Sequence, residues 1–397
     1  MSSETSSTVD IPDIIGKTIN QYMILGYISS GTYSHVFMAY HMKTDTIICM
    51  KRSIDGRYHE NVVEAYILYE LATDKLGNLP AIHEHFIFQS HMYIIMDMYD
   101  NNLRTVINSD KYHKGLPLPL LKTVVHQICR ALDVVHNRHN LIHGDIKPAN
   151  IYLKDVAKVQ DKQEQILKIK STLRSASQEK IARKVEQICK RPADDDEDTR
   201  ECQYLFSGTK HIKYVISHIH NPEIVLADYN SASLDTDDFK PHIIQPTYYR
   251  APEVTLVNGY SKKCDIWALG CVIYELFTGD TFLDDHSFDD KDETDAITHI
   301  KIMEHAVGEK VPQSMITSCG RGFLFESPTN KLSKIQDLQL LELLTGMLRI
   351  NPDDRWNVRQ CLASPFLSGF IEIPEHKLIN THANFVPRVN VIMSAVL

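Results

Sequence analysis

The 397-residue sequence predicts an α+β fold, with a small β-rich first part and a larger helical second part. Three observations predict it. Short β-prone runs crowd the stretch from Tyr22 to Met96. Beyond Leu103 the apolar residues recur at helical spacing. A strongly apolar segment starting at Cys264 has the period of a buried helix.

Length alone suggests two or three domains. Hydrophobic and charged contents of 43% and 23% describe a soluble globular protein. A formal net charge of −9 argues against a general nucleic-acid binder and suits a protein that meets basic partners. The 8 cysteines are scattered without a Cys-x-x-Cys pair, which fits reduced thiols in an intracellular setting, cytoplasmic or nuclear. Met1 to Asp10 is polar and lacks the basic patch and apolar run of a secretory signal. No apolar stretch approaches the roughly 20 residues needed to cross a bilayer, so no membrane partner is expected.

Residues 1–20 read as a flexible tail. Tyr22–Leu25 and Val36–Tyr40 are the first two strand-like runs. Between them, Ile28-Ser29-Ser30-Gly31-Thr32-Tyr33-Ser34-His35 reads locally as an ordinary hairpin turn. Its small side chains would also let a backbone approach phosphate. Thr46–Lys51 is a third strand ending in a Lys, whose ammonium can hold nucleotide phosphates if a carboxylate on the next helix holds it in turn. Glu64 fits, because Ile67, Leu68 and Leu71 follow at +3, +4 and +7; Glu60 is the other candidate. Two more strands, Ile82–Phe88 and Met92–Met96, lead to the polar break Asp97-Met98-Tyr99-Asp100.

Val125, Ile128, Leu132 and Val135 then form a helical stripe. It leads into His143-Gly144-Asp145-Ile146-Lys147-Pro148-Ala149-Asn150. Phosphoryl transfer to a hydroxyl needs such a set: a carboxylate (Asp145) to accept the proton, a cation (Lys147) to steady the moving group, and an amide oxygen (Asn150) for a metal. Ile151–Leu153 is a short strand. From 154 to 222 the pattern breaks down and reads as an insertion, with an acidic run at Asp194–Asp198 and helical spacing at Ile181, Val185 and Ile188. His211, His218 and His220 match no metal template. Ile224–Ala227 is a buried-type strand ahead of Asp228-Tyr229-Asn230. In the apolar helix, Ile266, Leu269, Val272, Ile273 and Leu276 make a wide buried face. Asp265 sits near its start, where it can accept from backbone amides.

The run from His143 to Asn150 resembles the catalytic loop of protein kinases, with Gly144 where an Arg is usual. Its Asp-x-Lys is similar to Ser/Thr rather than Tyr kinases. The ordered motifs cover residues 22–370. The resemblance implies a bilobal protein-kinase fold, with an N-lobe and hinge over 21–99 and a C-lobe over 100–372 that carries the insertion. Residues 373–397 form a C-terminal extension. It implies ATP and Mg²⁺ as cofactors, Asp145 and Lys147 as catalytic residues, and Asn150 and Asp228 as metal ligands. Ile28, Ser29, Gly31, Tyr33 and Val36 would cover the nucleotide, with Ser29 and Ser34 in place of two usual glycines. Cys49, Lys51, Glu64 and Met96 would complete the pocket, and backbone groups of Asp97 and Met98 would face the adenine edge. Asp228-Tyr229-Asn230 stands in place of Asp-Phe-Gly, and Asn230 is expected to carry a left-handed backbone. Thr247–Glu253 resembles the end of an activation segment, with Pro246 where a Thr usually orients the catalytic Asp. Asp265 would support the catalytic loop, and Arg355 would pair with Glu253.

Tyr249–Glu253 and Gly259–Cys271 are similar to the CMGC branch, which holds cyclin-dependent, dual-specificity and SR-protein kinases. The nearest resemblance is to SR-protein kinases, on three features: Gly144, the insertion, and the acidic stretch Asp284 to Asp295. It implies an Arg/Ser-rich protein substrate docking on that stretch. The expected function is phosphoryl transfer from ATP to Ser/Thr hydroxyls. A pseudokinase scaffold is the rival reading.

Overall fold

The β-prone runs of the first part pair into one antiparallel six-stranded sheet, in the order β1-β2-β3-β4-β6-β5. The strands are β1 (Thr18–Ile19), β2 (Tyr22–Ser30), β3 (Ser34–His41), β4 (Thr46–Ser53), β5 (Ile82–Phe88) and β6 (His91–Asp97). This computed structural model describes residues 14–99, 101–154, 222–236, 242–283, 296–316 and 330–369. Outside them lie the first part of the tail, Asp100, nearly all of the insertion with its acidic run, helical spacing and histidines, the stretch Asp284 to Asp295, and the C-terminal extension.

β5 is the edge strand, and its side chains alternate, with His83, His85 and Ile87 exposed. Lys51 lies mid-sheet, opposite Val36 on one side and Ile94 on the other. Three strands run further than their apolar runs suggest. β2 and β3 shift register between Ile24 and Gly26 and between Tyr27 and Ser29 but stay paired to Ser29↔Val36 and Ser30↔His35, leaving only Gly31-Thr32-Tyr33 as the turn. Polar side chains continue the ladder because backbone pairing does not depend on them. β4 likewise continues past Lys51 to Ser53.

Helix α1 (Tyr58–Ala72) crosses between β4 and β5. It buries Asn61, Glu64, Ala65, Leu68 and Leu71, a 3–4-residue spacing that sets one carboxylate into an apolar stripe. A buried carboxylate in that position must find a cation.

The second part is helical, as predicted. It holds α2 (Leu103–Ile107), α3 (Leu118–Asp133), α4 (Pro252–Thr255), α5 (Lys263–Thr278), α6 (Ala296–Val307), α7 (Leu338–Met347) and α8 (Val358–Leu362). α3 runs on into a wider π turn, Val134–Arg138. Four short strands follow: β7 (Leu141–Ile142), β8 (Ile151–Leu153), β9 (Ile224–Leu226) and β10 (Ser233–Leu234). β8 pairs with β9 and β7 with β10, so the loop from His143 to Asn150 and the turn after Leu226 emerge side by side. Every residue of α5 from Cys264 to Leu276 is buried, which makes this helix the centre of the helical part. The main core is continuous from α1, through Ile94 and Leu71, to α3 and α5, so the two lobes share one apolar seam. Among the described residues no helix is long and apolar enough to cross a membrane.

Candidate active site

Lys51 is 7% exposed, and its Nζ donates to Glu64 Oε1 at 2.7 Å and to Asp228 Oδ1 at 2.9 Å. Burial alone would pull its pKa down, but the Asp228 and Glu64 carboxylates hold it above the ordinary lysine value. The reverse holds at Asp228. Burial favours its neutral acid, yet the charge and hydrogen bond of Lys51, and then Lys147, bring it below the usual carboxylate range. Glu60, the alternative partner, instead pairs with Arg57 at 3.0 Å.

The expected loop residues meet. Asp145 Oδ2 accepts from Lys147 Nζ at 2.9 Å and from Asn150 Nδ2 at 2.8 Å. Asn150 Nδ2 also donates to the Asp145 carbonyl at 2.9 Å, and its Oδ1 makes no hydrogen bond among the described residues. The buried His143 ring ties this loop to the neighbouring turn. Its Nδ1 accepts from the Asp145 N–H at 3.2 Å, which leaves Nε2 to donate to the Ala227 carbonyl at 3.2 Å. Burial lowers the His143 pKa, so this neutral tautomer is the one the site holds.

Beneath the loop stands Asp265, fully buried in the first turn of α5. It accepts from the N–H of His143 at 2.7 Å, the N–H of Gly144 at 2.9 Å, and His136 Nε2 at 2.9 Å. Burial opposes its charge, but the His136 bond leads the contacts that keep its pKa low. It therefore binds amides of the catalytic loop, as the resemblance implied. Gly144 has φ +77°, and a Cβ there would meet the Ser231 carbonyl oxygen at 2.7 Å. The sequence thus has Gly where both backbone and space ask for it.

The turn Asp228-Tyr229-Asn230 corrects one expectation. The left-handed residue is Asp228, at φ +67°, not Asn230. In that shape Asp228 makes one hydrogen bond to Lys51, and Asp tolerates it better than most residues. Tyr229 is buried with its ring 4.7 Å from the His143 ring, and its hydroxyl has no partner among the described residues. Asn230 Nδ2 donates to Asp228 Oδ1 at 3.2 Å.

Toward the sheet, Ser29 and Val36 pair across the β2–β3 ladder. Ile28 and Met98 pack on one small apolar cluster around Leu25 and Met38. The Gly31 N–H donates to the Ser34 carbonyl at 2.9 Å, closing the turn. Tyr33 leans toward α1, with the Arg57 guanidinium 5.7 Å from its ring centre. Cys49 lies opposite Met96, and burial pushes its thiol up to about 12. The Asp97 N–H is committed to the Ala81 carbonyl at 3.1 Å, so its own carbonyl is what remains for a ligand edge.

Two features escaped the sequence reading. Glu275, buried on α5, accepts from Tyr249 Oη at 2.7 Å and from Arg104, which also bonds Tyr249. A lone carboxylate between Val272 and Leu276 on the apolar face was the available signal. Gln245, at φ +66°, accepts from the Ala251 N–H at 3.0 Å and donates to the Cys264 carbonyl at 2.9 Å. Its carbonyl takes the Arg250 Nε–H at 3.1 Å, which fixes the segment before α4. Thr247 makes no hydrogen bond to Asp145 among the described residues, so it does not replace the Thr missing at Pro246.

The two neighbouring segments carry hard oxygens, the ionised Asp228 carboxylate and the amide oxygen of Asn150, and the Ala227 N–H donates to the Asn150 carbonyl at 2.9 Å. That set fits a small divalent cation such as Mg²⁺.

A model of the protein kinase domain matches residues 22–171 and 213–367. Serine/threonine-protein kinase AFC1 of Arabidopsis thaliana is 24% identical over 388 residues, which cover 89% of this chain and 73% of that protein. Cyclin-dependent kinase-like 5 of Homo sapiens is 22% identical over 364 residues, 89% of this chain and 30% of that protein. Neither is named as an SR-protein kinase. A crystal structure of a kinase domain superposes with a TM-score of 0.62 at 19% identity, over 88% of this chain and 95% of that one.

Proposed function

The chain belongs to the protein kinase domain family, as a serine/threonine protein kinase domain, and on that premise we propose how its residues carry the transfer. Asp145 accepts the proton of the substrate hydroxyl as that oxygen attacks the γ-phosphorus of ATP, while the bond from that phosphorus to the bridging β-phosphate oxygen breaks and ADP leaves. Lys147, bonded to the same carboxylate, steadies the phosphoryl oxygens in transit. Lys51, held by Glu64, binds the α- and β-phosphates. Asn150 and Asp228 would hold Mg²⁺, which supplies positive charge beside the phosphates. Ile28, Ser29, Gly31, Tyr33, Val36, Cys49 and Met96, with the Asp97 carbonyl and the Met98 backbone, enclose the nucleotide. The lobe boundary falls at Tyr99.

One observation carries this reading. Asp145 and Asp228 each hold a lysine, at 2.9 Å in both cases, and His143 ties the two segments together. Such a pair of lysine-bound carboxylates in one cleft answers the charge requirements of phosphoryl transfer.

The substrate reading is finer. The carboxylates from Asp284 to Asp295, outside the described residues, would dock Arg/Ser-rich or other basic proteins. The support is their charge and the net charge of −9. Affinity for an Arg/Ser peptide should fall as salt rises; an affinity flat with salt removes the docking proposal.

The rival scaffold reading draws on Pro246, on Asn230, and on Ser29 and Ser34, which flank the turn in place of glycines. Thermal-shift titration with ATP, with and without Mg²⁺, beside phosphotransfer to Ser and Tyr peptides, separates the two. Transfer to Ser but not Tyr supports the proposal. Nucleotide binding with no transfer favours the scaffold.

A further inference from the structure

Asn230 stands one residue past the buried Tyr229, at the place where the family resemblance expects Gly. Its side chain is only half provided for. Nδ2 donates to Asp228 Oδ1 at 3.2 Å, while Oδ1 is buried without a hydrogen-bond partner among the described residues. A buried acceptor of that kind calls for a reason.

The oxygen and the NH₂ of an Asn amide are nearly alike in size and shape, so half a turn about the last side-chain bond exchanges their places. Turned that way, Asn230 Oδ1 stands 3.2 Å from Asp228 Oδ1. Two bare oxygens at that distance repel unless a cation lies between them. Neighbouring oxygens on an octahedron with bonds of about 2.1 Å are about 3.0 Å apart, so the separation is that of two ligands sharing one edge. The first orientation leaves the oxygen stranded; the second places the NH₂ where no partner stands among the described residues, so it is favoured only when a divalent cation takes the oxygen as a ligand.

We propose that Asn230 is a third protein oxygen ligand of the divalent cation, beside Asp228 and Asn150. The inference rests on the proposed metal role of those two residues. A Gly at this position has no side-chain donor, so the chain would hold its cation more tightly through its own groups and less through water. The amide then acts as a two-position element. Without the cation its NH₂ braces the Asp228 carboxylate beside Lys51, and with the cation its oxygen joins the ligand set.

The test is binding of Mn²⁺, read from the loss of the free-ion electron paramagnetic resonance signal. It uses the full chain with a non-hydrolysable ATP analogue, in the wild type and in Asn230→Gly, Asn230→Asp and Asp228→Asn. The expected result is Mn²⁺ affinity about tenfold weaker or more in Asn230→Gly, restored in Asn230→Asp and largely lost in Asp228→Asn. Affinity for the analogue without metal should be unchanged in Asn230→Gly. Wild-type Mn²⁺ affinity in Asn230→Gly, with loss in Asp228→Asn, overturns the role of Asn230 and leaves the Asp228 assignment standing. Unchanged affinity in all three variants overturns both.

Discussion

Arg355 grips Glu253 through two hydrogen bonds of 2.7 and 2.9 Å, across 102 positions of sequence. Both side chains are buried, and the guanidinium also lies 5.2 Å from the centre of the Trp267 ring. Its remaining N–H groups reach the carbonyls of Arg349, Lys263 and Ile350. Removing one partner strands the other charge in the core. Arg355→Ala and Glu253→Ala should each lose about 3–5 kcal/mol in urea unfolding, because one buried charge is left without its partner. The double variant should lose less than the sum.

His299 gives a pH signature. It is buried on α6 against the Thr255 hydroxyl at 3.1 Å, and burial, followed by the Arg250 charge, lowers its pKa from 6.5 to about 4. The folded protein therefore refuses a proton that the unfolded chain takes up. Stability from this group is intact above pH 6.5 and drains away as pH falls toward 4. Between pH 7 and pH 5 the loss should be about 2 kcal/mol. Urea unfolding at both pH values checks it, because His299→Gln should remove that part of the slope.

Gly144, not an Arg, precedes Asp145, so a phosphorylated activation loop would have no Arg there to neutralise. Phosphatase treatment should therefore leave the rate of transfer unchanged. Gly144→Ala should lower stability by roughly 1–2 kcal/mol through its left-handed backbone alone, with a further loss from contact with the Ser231 carbonyl. Calorimetric melting of the variant measures this.

Local chemistry made much of the site legible. A Lys at a strand end, a carboxylate set into an apolar helical stripe and three polar types within eight residues are each visible from neighbours in sequence. They led to Lys51, Glu64, Asp145, Lys147 and Asn150, which the fold does bring together. The triad of Arg104, Tyr249 and Glu275 was not legible, because its members come from three separate elements. Nor was the left-handed backbone at Asp228. The partner Asp228 meets in that conformation, Lys51, is 177 positions away. Turn propensity alone pointed to Asn230.

As general base, Asp145 would take the proton from the acceptor hydroxyl. The direct measurement is transfer of γ-labelled phosphate to a Ser peptide by the wild type and Asp145→Asn, with ATP affinity measured in parallel. The expected result is transfer in the wild type, a fall of about 10²–10⁴-fold in the variant, and ATP affinity little changed. A variant that transfers phosphate at the wild-type rate, or a wild type that binds ATP and transfers none, would contradict it.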